Sequence, residues 1–207
     1  MQSAFAIPEW LDVSRETYEK LLSFRLLVEK WNPAINLISK SQIVELWDRH
    51  ILDSAQLIKF CPVNTERWSD LGSGGGFPGI VIAILAENLY PNLQITLVES
   101  DRRKSVFLGQ AARELNLKVR IEATRIEALA PLKSQIVSAR ALASLRELLP
   151  LVHRHIAAGG IAIFPKGLNA QQEIADARIE WSFKVEEHIS LTSNEARVLI
   201  LRDILHG

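Results

Sequence analysis

At 207 residues the chain is long enough for one domain with a sizeable core, and 48% hydrophobic with 23% charged residues suits a globular protein. With 24 basic and 24 acidic residues, it lacks the basic excess typical of proteins that grip naked nucleic acid by phosphate neutralisation. A nucleic-acid substrate would have to be held by local patches, by shape, or as part of a structured particle.

Cys61 is the only cysteine, which excludes an intramolecular disulfide, a cysteine-built zinc cage and a CxxC redox site. No apolar run reaches the ~18 residues of a membrane span. Met1-Gln2-Ser3-Ala4-Phe5 lacks the basic-then-apolar pattern of a secretory leader. A cytoplasmic protein, without membrane or metal, is expected.

In chain order, residues 14–31 predict an amphipathic helix capped by Ser14, with Tyr18, Leu21, Phe24, Val28 and Trp31 on one stripe. Pro33 is expected to end or interrupt it. A second helix is predicted over 42–59, and residues 1–62 read as a small helical cap on a core formed by 63–207. From Glu66 short β-rich runs at 67–71, 94–98, 118–122, 135–139 and 160–164 alternate with helical runs at 78–89, 102–115 and 144–156. That alternation predicts an α/β fold, a mostly parallel sheet with helices on both faces. After a helix near 168–179, strands at 183–190 and 196–202 flank Thr192-Ser193-Asn194, which is turn chemistry, so the chain ends in an antiparallel hairpin.

Asp70-Leu71-Gly72-Ser73-Gly74-Gly75-Gly76-Phe77-Pro78-Gly79 joins the first strand to a helix, where α/β folds hold nucleotide-like ligands. Gly74, Gly76 and Gly79 also fit GxGxxG, so a nicotinamide-dependent oxidoreductase is an alternative reading. Glu99 ends the second strand and stands where a carboxylate accepts hydrogen bonds from both ribose hydroxyls of an adenosine ligand. Asp101 is expected to cap the next helix. Thr124-Arg125-Ile126-Glu127 follows the third strand, where a nucleoside-binding sheet meets the adenine edge. Arg140, after the fourth, pairs with a carboxylate of either the ligand or the protein. In the cap, Leu46, His50, Asp53 and Leu57 share one stripe, and His50 and Asp53 either satisfy each other or line a cleft.

A GxSxG elbow and a GxxxxGK[ST] phosphate loop are both missing. His153 and His155 are two apart on a predicted helix and make a poor metal pair. Cys61 reads as a core residue.

The Asp-x-Gly-x-Gly-x-Gly order, an acid after the second strand and a terminal hairpin resemble the class I S-adenosylmethionine-dependent methyltransferases, with their Rossmann-like sheet. More narrowly, the chain resembles the bacterial small-subunit ribosomal RNA guanine-N7 methyltransferases of the glucose-inhibited division protein B family. The match rests on Trp31-Asn32 with Asn36-Leu37, His50-Ile51-Leu52-Asp53-Ser54, Asp70 through Gly79, Ser138-Ala139-Arg140-Ala141 and Lys166-Gly167. The resemblance implies S-adenosylmethionine as cofactor, with contacts at Gly72, Phe77, Ile126, Glu127 and Arg140, and Gly74, Gly76 and Glu99 beside them. It implies methyl transfer to N7 of a guanine in the 530 loop of 16S ribosomal RNA, within the small ribosomal subunit. Arg140, His50 and Asp53 are the candidate catalytic residues. Arg102, Arg103, Lys104 and Lys166 are the candidate RNA contacts. A third reading is a non-catalytic RNA-binding assembly factor that keeps the fold.

Overall fold

The computed structural model describes residues 5–207, so the stretch read for a secretory leader, Met1–Phe5, lies outside the described residues except for Phe5. A seven-stranded sheet runs through the molecule in the order β3-β2-β1-β4-β5-β7-β6. Strands β1 (Arg67–Leu71), β2 (Gln94–Val98), β3 (Val119–Glu122), β4 (Ser134–Ala139) and β5 (Ile156–Lys166) run parallel to one another. β7 (Arg197–His206) runs antiparallel to β5 and to β6 (Trp181–Ile189), which forms the outer edge. The predicted hairpin is thus present, with both strands longer than expected, and its turn contains Thr192-Ser193-Asn194. The order reverses between β1 and β4, which opens a crevice at the carboxyl ends of those strands.

Alternating side chains divide the core between the two faces. Ile161 and Ile163 of β5 join the apolar cluster beneath α3 (Gly79–Leu89) and α4 (Arg102–Glu114), whereas Ala162 and Phe164 join the one beneath α5 (Leu145–His155) and α6 (Ala170–Ala177). The N-terminal segment packs on the first face, where Leu21, Phe24 and Val28 of α1 (Arg15–Ile35) share a cluster with Ile80 and Phe107. Ser14 caps α1 by accepting the Thr17 N–H at 3.2 Å. Among the described residues no helix is long and apolar enough to cross a membrane.

Two helix predictions need correction. Pro33 lies inside the last turn of α1, and the helix stops only at Asn36, whose left-handed φ of 50° is tolerated by asparagine. The expected 42–59 helix is a short 3-10 turn at Lys40–Gln42 followed by a graded winding. It is π-helical over Trp47–Leu52, α-helical over α2 (Asp53–Ala55) and 3-10 over Gln56–Phe60. The Asp53 N–H reaches both the Asp48 and His50 carbonyls, marking the change of pitch. Such wide turns accumulate at functional sites.

Candidate active site

The carboxyl end of β1 is fastened from below. Asp70 is fully buried; its Oδ2 accepts the Gly79 N–H at 3.1 Å and its Oδ1 accepts the Ser138 hydroxyl at 2.8 Å. Trp68 Nε1 donates to that same hydroxyl at 2.9 Å. Burial outweighs these bonds and pushes the Asp70 carboxyl up to about 6. The acid thus locks the start of α3 to the end of β4, across the switch point.

Above it lies a cavity of about 620 Å³, within the range of small-molecule sites. Gly72, Gly74, Phe77, Glu99, Ile126, Glu127 and Arg140 all line it, together with His50 and Lys104. Gly72 and Gly74 adopt φ of +69° and +53°, and a Cβ on Gly74 would meet nothing closer than 3.7 Å, so backbone faces the cavity there. Gly76 does not line it. Its φ is +87°, and a Cβ would stand 2.8 Å from Ile80 and 2.9 Å from Phe24, which makes it a turn and packing glycine.

Glu99 Oε2 accepts the Gly74 N–H at 2.8 Å and Oε1 accepts the Asp101 N–H at 2.7 Å. A carboxylate offers about four lone-pair directions. One on each oxygen therefore remains for a diol. Asp101 caps α4 as expected, through the Arg103 and Lys104 N–H groups. At the opposite wall Ile126 is held by a buried histidine: His155 Nε2 lies 3.0 Å from the Ile126 carbonyl, and Nδ1 accepts the Leu132 N–H at 3.4 Å. This network assigns the proton to Nε2.

Arg140 stands where the cap meets the sheet. Nη1 donates to His50 Nδ1 at 3.0 Å, Nη2 to the Arg49 carbonyl at 2.6 Å, and Nε lies 3.4 Å from Asp53 Oδ2. His50 and Asp53 therefore do not satisfy each other; both turn to Arg140. The His50 imidazole is held neutral, its pKa lowered to about 3 by burial first and by Arg140 and Arg49 next. Its ring packs on Phe77 with centroids 5.1 Å apart. Of the five guanidinium N–H groups, one on each terminal nitrogen stays unassigned.

A second cavity of about 730 Å³ shares Gln42, Arg140, Ala141 and Ala143 with the first. Asp53, Lys166, Glu173, Thr192 and Glu195 line it. Lys166 is not a free cation: its ammonium donates to Glu173 at 2.6 Å and to the Ala143 carbonyl at 3.1 Å. Arg102 and Arg103 lie outside both cavities on the exposed start of α4. No cluster of three potential metal ligands occurs among the described residues.

A parallel sheet closed by an antiparallel seventh strand, over a cavity with an acid at the end of β2, is the arrangement that the resemblance to methyltransferases implies, and the chain is similar to proteins of that class. A Pyrococcus furiosus methyltransferase matches with TM-score 0.60 at 12% identity over 89% of this chain and 96% of that one. A T. thermophilus 16S rRNA methyltransferase, solved with AdoMet and guanosine, matches with TM-score 0.52 at 16% identity over 73% of this chain and 38% of that one. The chain belongs to the GidB family, rRNA small subunit methyltransferase G, whose model matches residues 17–200. Relatives described as ribosomal RNA small subunit methyltransferase G include one from Cereibacter sphaeroides, 50% identical over 95% of both chains. Another, from Ruegeria pomeroyi, is 49% identical over 91% of this chain and 92% of its own.

Three residues that brace the cavity carry no role in the sequence reading. Asp70 and Ser138 stood inside quoted motifs without a role, and an acid nine residues before a helix start was the available signal. His155 was weighed only as a metal ligand, and nothing local ties it to Ile126.

Proposed function

We propose that this protein transfers a methyl group from S-adenosylmethionine to N7 of a guanine in 16S ribosomal RNA, with the assembled small subunit as its substrate. The observation that carries this is the convergence of Gly72, Gly74, Phe77, Glu99, Ile126, Glu127 and Arg140 on one cavity. The donors present suit the cofactor: free acceptor directions on Glu99 for a ribose diol, an apolar Ile126 wall for the base, and two free N–H groups of Arg140 for a carboxylate. When bound, the cofactor supplies an electrophilic methyl on a sulfonium. Guanine N7 carries an in-plane lone pair and no proton at neutral pH, so no general base is needed. The residues of this chain then align and exclude water. A neutral His50 agrees with that economy. It holds Arg140 by accepting from it and carries no charge that would oppose the positive charge growing on the purine.

The acceptor base is assigned to the second cavity, because the two cavities share Gln42, Arg140, Ala141 and Ala143. Family membership supports this cofactor over the nicotinamide reading. Calorimetric titration with S-adenosylhomocysteine and with NAD, paired with methyl incorporation into unmethylated small subunits, tests the assignment. Binding of S-adenosylhomocysteine alone, with incorporation at one guanine, is expected. Preference for NAD refutes the cofactor, and binding to subunits without turnover refutes the enzyme.

A further inference from the structure

The turn joining β6 to β7 is tied to the N-terminal segment by one side chain. Gln56 is 1% exposed. The two N–H groups of its Nε2 serve three acceptors, Asp53 Oδ1 at 2.8 Å, Ser190 Oγ at 2.9 Å and the Asp53 carbonyl at 3.1 Å, so one is shared; its Oε1 accepts the Leu191 N–H at 2.9 Å. Thr192 adds a second tie, its hydroxyl donating to Asp53 Oδ1 at 3.1 Å. Oδ1 of Asp53 is thereby engaged by two donors, and Oδ2 is the oxygen left to Arg140. A carboxylate turns easily about its last torsion unless its oxygens are distinguished. Here Gln56 and Thr192 distinguish them.

We propose that Gln56 and Thr192 are positioning residues for Arg140. They set the plane of the Asp53 carboxylate, and Asp53 with His50 sets the guanidinium in the wall shared by the two cavities. Thr192 also lines the second cavity, so a nucleotide entering there touches the same network that aims Arg140 at the cofactor. The proposal rests on the reading that Arg140 meets the cofactor. A merely structural strap would need no link to that carboxylate, since matched apolar partners at a buried contact are nearly as stable.

The test is calorimetric titration with S-adenosylhomocysteine of the wild type, Gln56→Leu, Thr192→Val, Arg140→Ala and the doubles with Arg140→Ala, each with its melting temperature. Gln56→Leu is expected to weaken binding about tenfold, the value of one oriented hydrogen bond, and Thr192→Val by a smaller factor. Neither is expected to weaken binding further once Arg140 is alanine. A lowered melting temperature with unaltered affinity overturns the proposal, as does the same loss in both backgrounds. If Gln56→Leu fails to fold, the Thr192→Val pair decides by the same criterion. Unaltered affinity in Arg140→Ala overturns the cofactor reading of Arg140 and the proposal with it. Weakened binding in Arg140→Ala, but in neither other single variant, overturns the proposal alone.

Discussion

Replacing Glu99 by glutamine separates two duties that the structure gives one carboxylate. Each oxygen accepts one backbone N–H, from Gly74 at 2.8 Å and from Asp101 at 2.7 Å. Glutamine keeps one acceptor oxygen and turns an NH2 group against the other N–H, leaving that donor without a partner. An orphaned donor at a site only 8% exposed costs about 1–3 kcal/mol, or roughly 2–12 °C in melting temperature for a chain of this size. The ribose duty loses one charge-assisted bond, about 1.5–3 kcal/mol, which weakens S-adenosylhomocysteine roughly 10- to 150-fold. Scanning calorimetry reads the first loss and titration calorimetry the second. A Glu99→Gln protein that melts lower yet binds with unchanged affinity would show that the acid only fastens the glycine loop. Affinity and melting temperature both unchanged would refute the geometry itself.

Asp70 gives a pH signature. Its pKa rises from 3.8 to about 6 on folding, so the folded state binds more protons between those values. Its contribution is fully present below about pH 4 and is lost as pH rises through about 6, a decline of about 3 kcal/mol. The wild-type melting temperature should fall across that window relative to Asp70→Asn, and parallel curves would contradict the assignment. Gly79→Ala would place a Cβ 2.3 Å from Leu97 Cδ2 and 2.7 Å from Asp70 Oδ2, so urea unfolding should show a loss of about 1–3 kcal/mol from overpacking; an unchanged midpoint would mean that the β1–α3 junction yields freely. Reversing Arg102 and Arg103 to glutamate should lower methylation of small subunits and leave S-adenosylhomocysteine affinity unaltered. Lys104→Glu should alter both, because Lys104 lines the cofactor cavity; unchanged subunit methylation in the double reversal would remove this patch from the RNA interface.

The parallel sheet and the hairpin were legible from local signals, and most of the first cavity's wall from the family resemblance. Short β-rich runs alternating with helical ones, a glycine-dense turn and an acid at a strand end each report on a few neighbouring residues. The winding of 47–60 was not legible. A stripe of Leu46, His50, Asp53 and Leu57 at spacings of four, three and four is equally compatible with a regular helix, and the π-helical turn holds His50 and the Arg49 carbonyl that Arg140 engages from beyond β4. Gly76 was misread as a cofactor contact because spacing does not say which way a glycine's missing side chain would point. Lys166, a candidate RNA contact by sequence, is already held by Glu173 and the Ala143 carbonyl, which come from other elements and leave no local signal. The Gln56–Ser190 bond spans 134 positions and leaves no trace in any local pattern.

A protein of zero formal charge that acts on RNA must place its few free cations well. In the second cavity Arg49 pairs with Glu45, Arg140 with Asp53 and Lys166 with Glu173. Each cation among the described residues lining it is thus already matched, while Asp48 and Glu195 add negative charge. Such a chamber repels phosphate and favours a base, above all one that gains positive charge as its N7 is alkylated. On the proposed reading phosphates fall to exposed positions outside both chambers, Arg102 and Arg103, the latter held 3.6 Å from Asp101. The division follows from the chemistry. The acceptor is an uncharged purine edge that becomes cationic, so attraction for phosphate belongs at the rim and an acidic lining at the reacting atom. On this argument subunit methylation should fall steeply with added salt, through the rim contacts, whereas S-adenosylhomocysteine binding should barely respond. A parallel decline of both would place the RNA phosphates inside the chambers and refute the division.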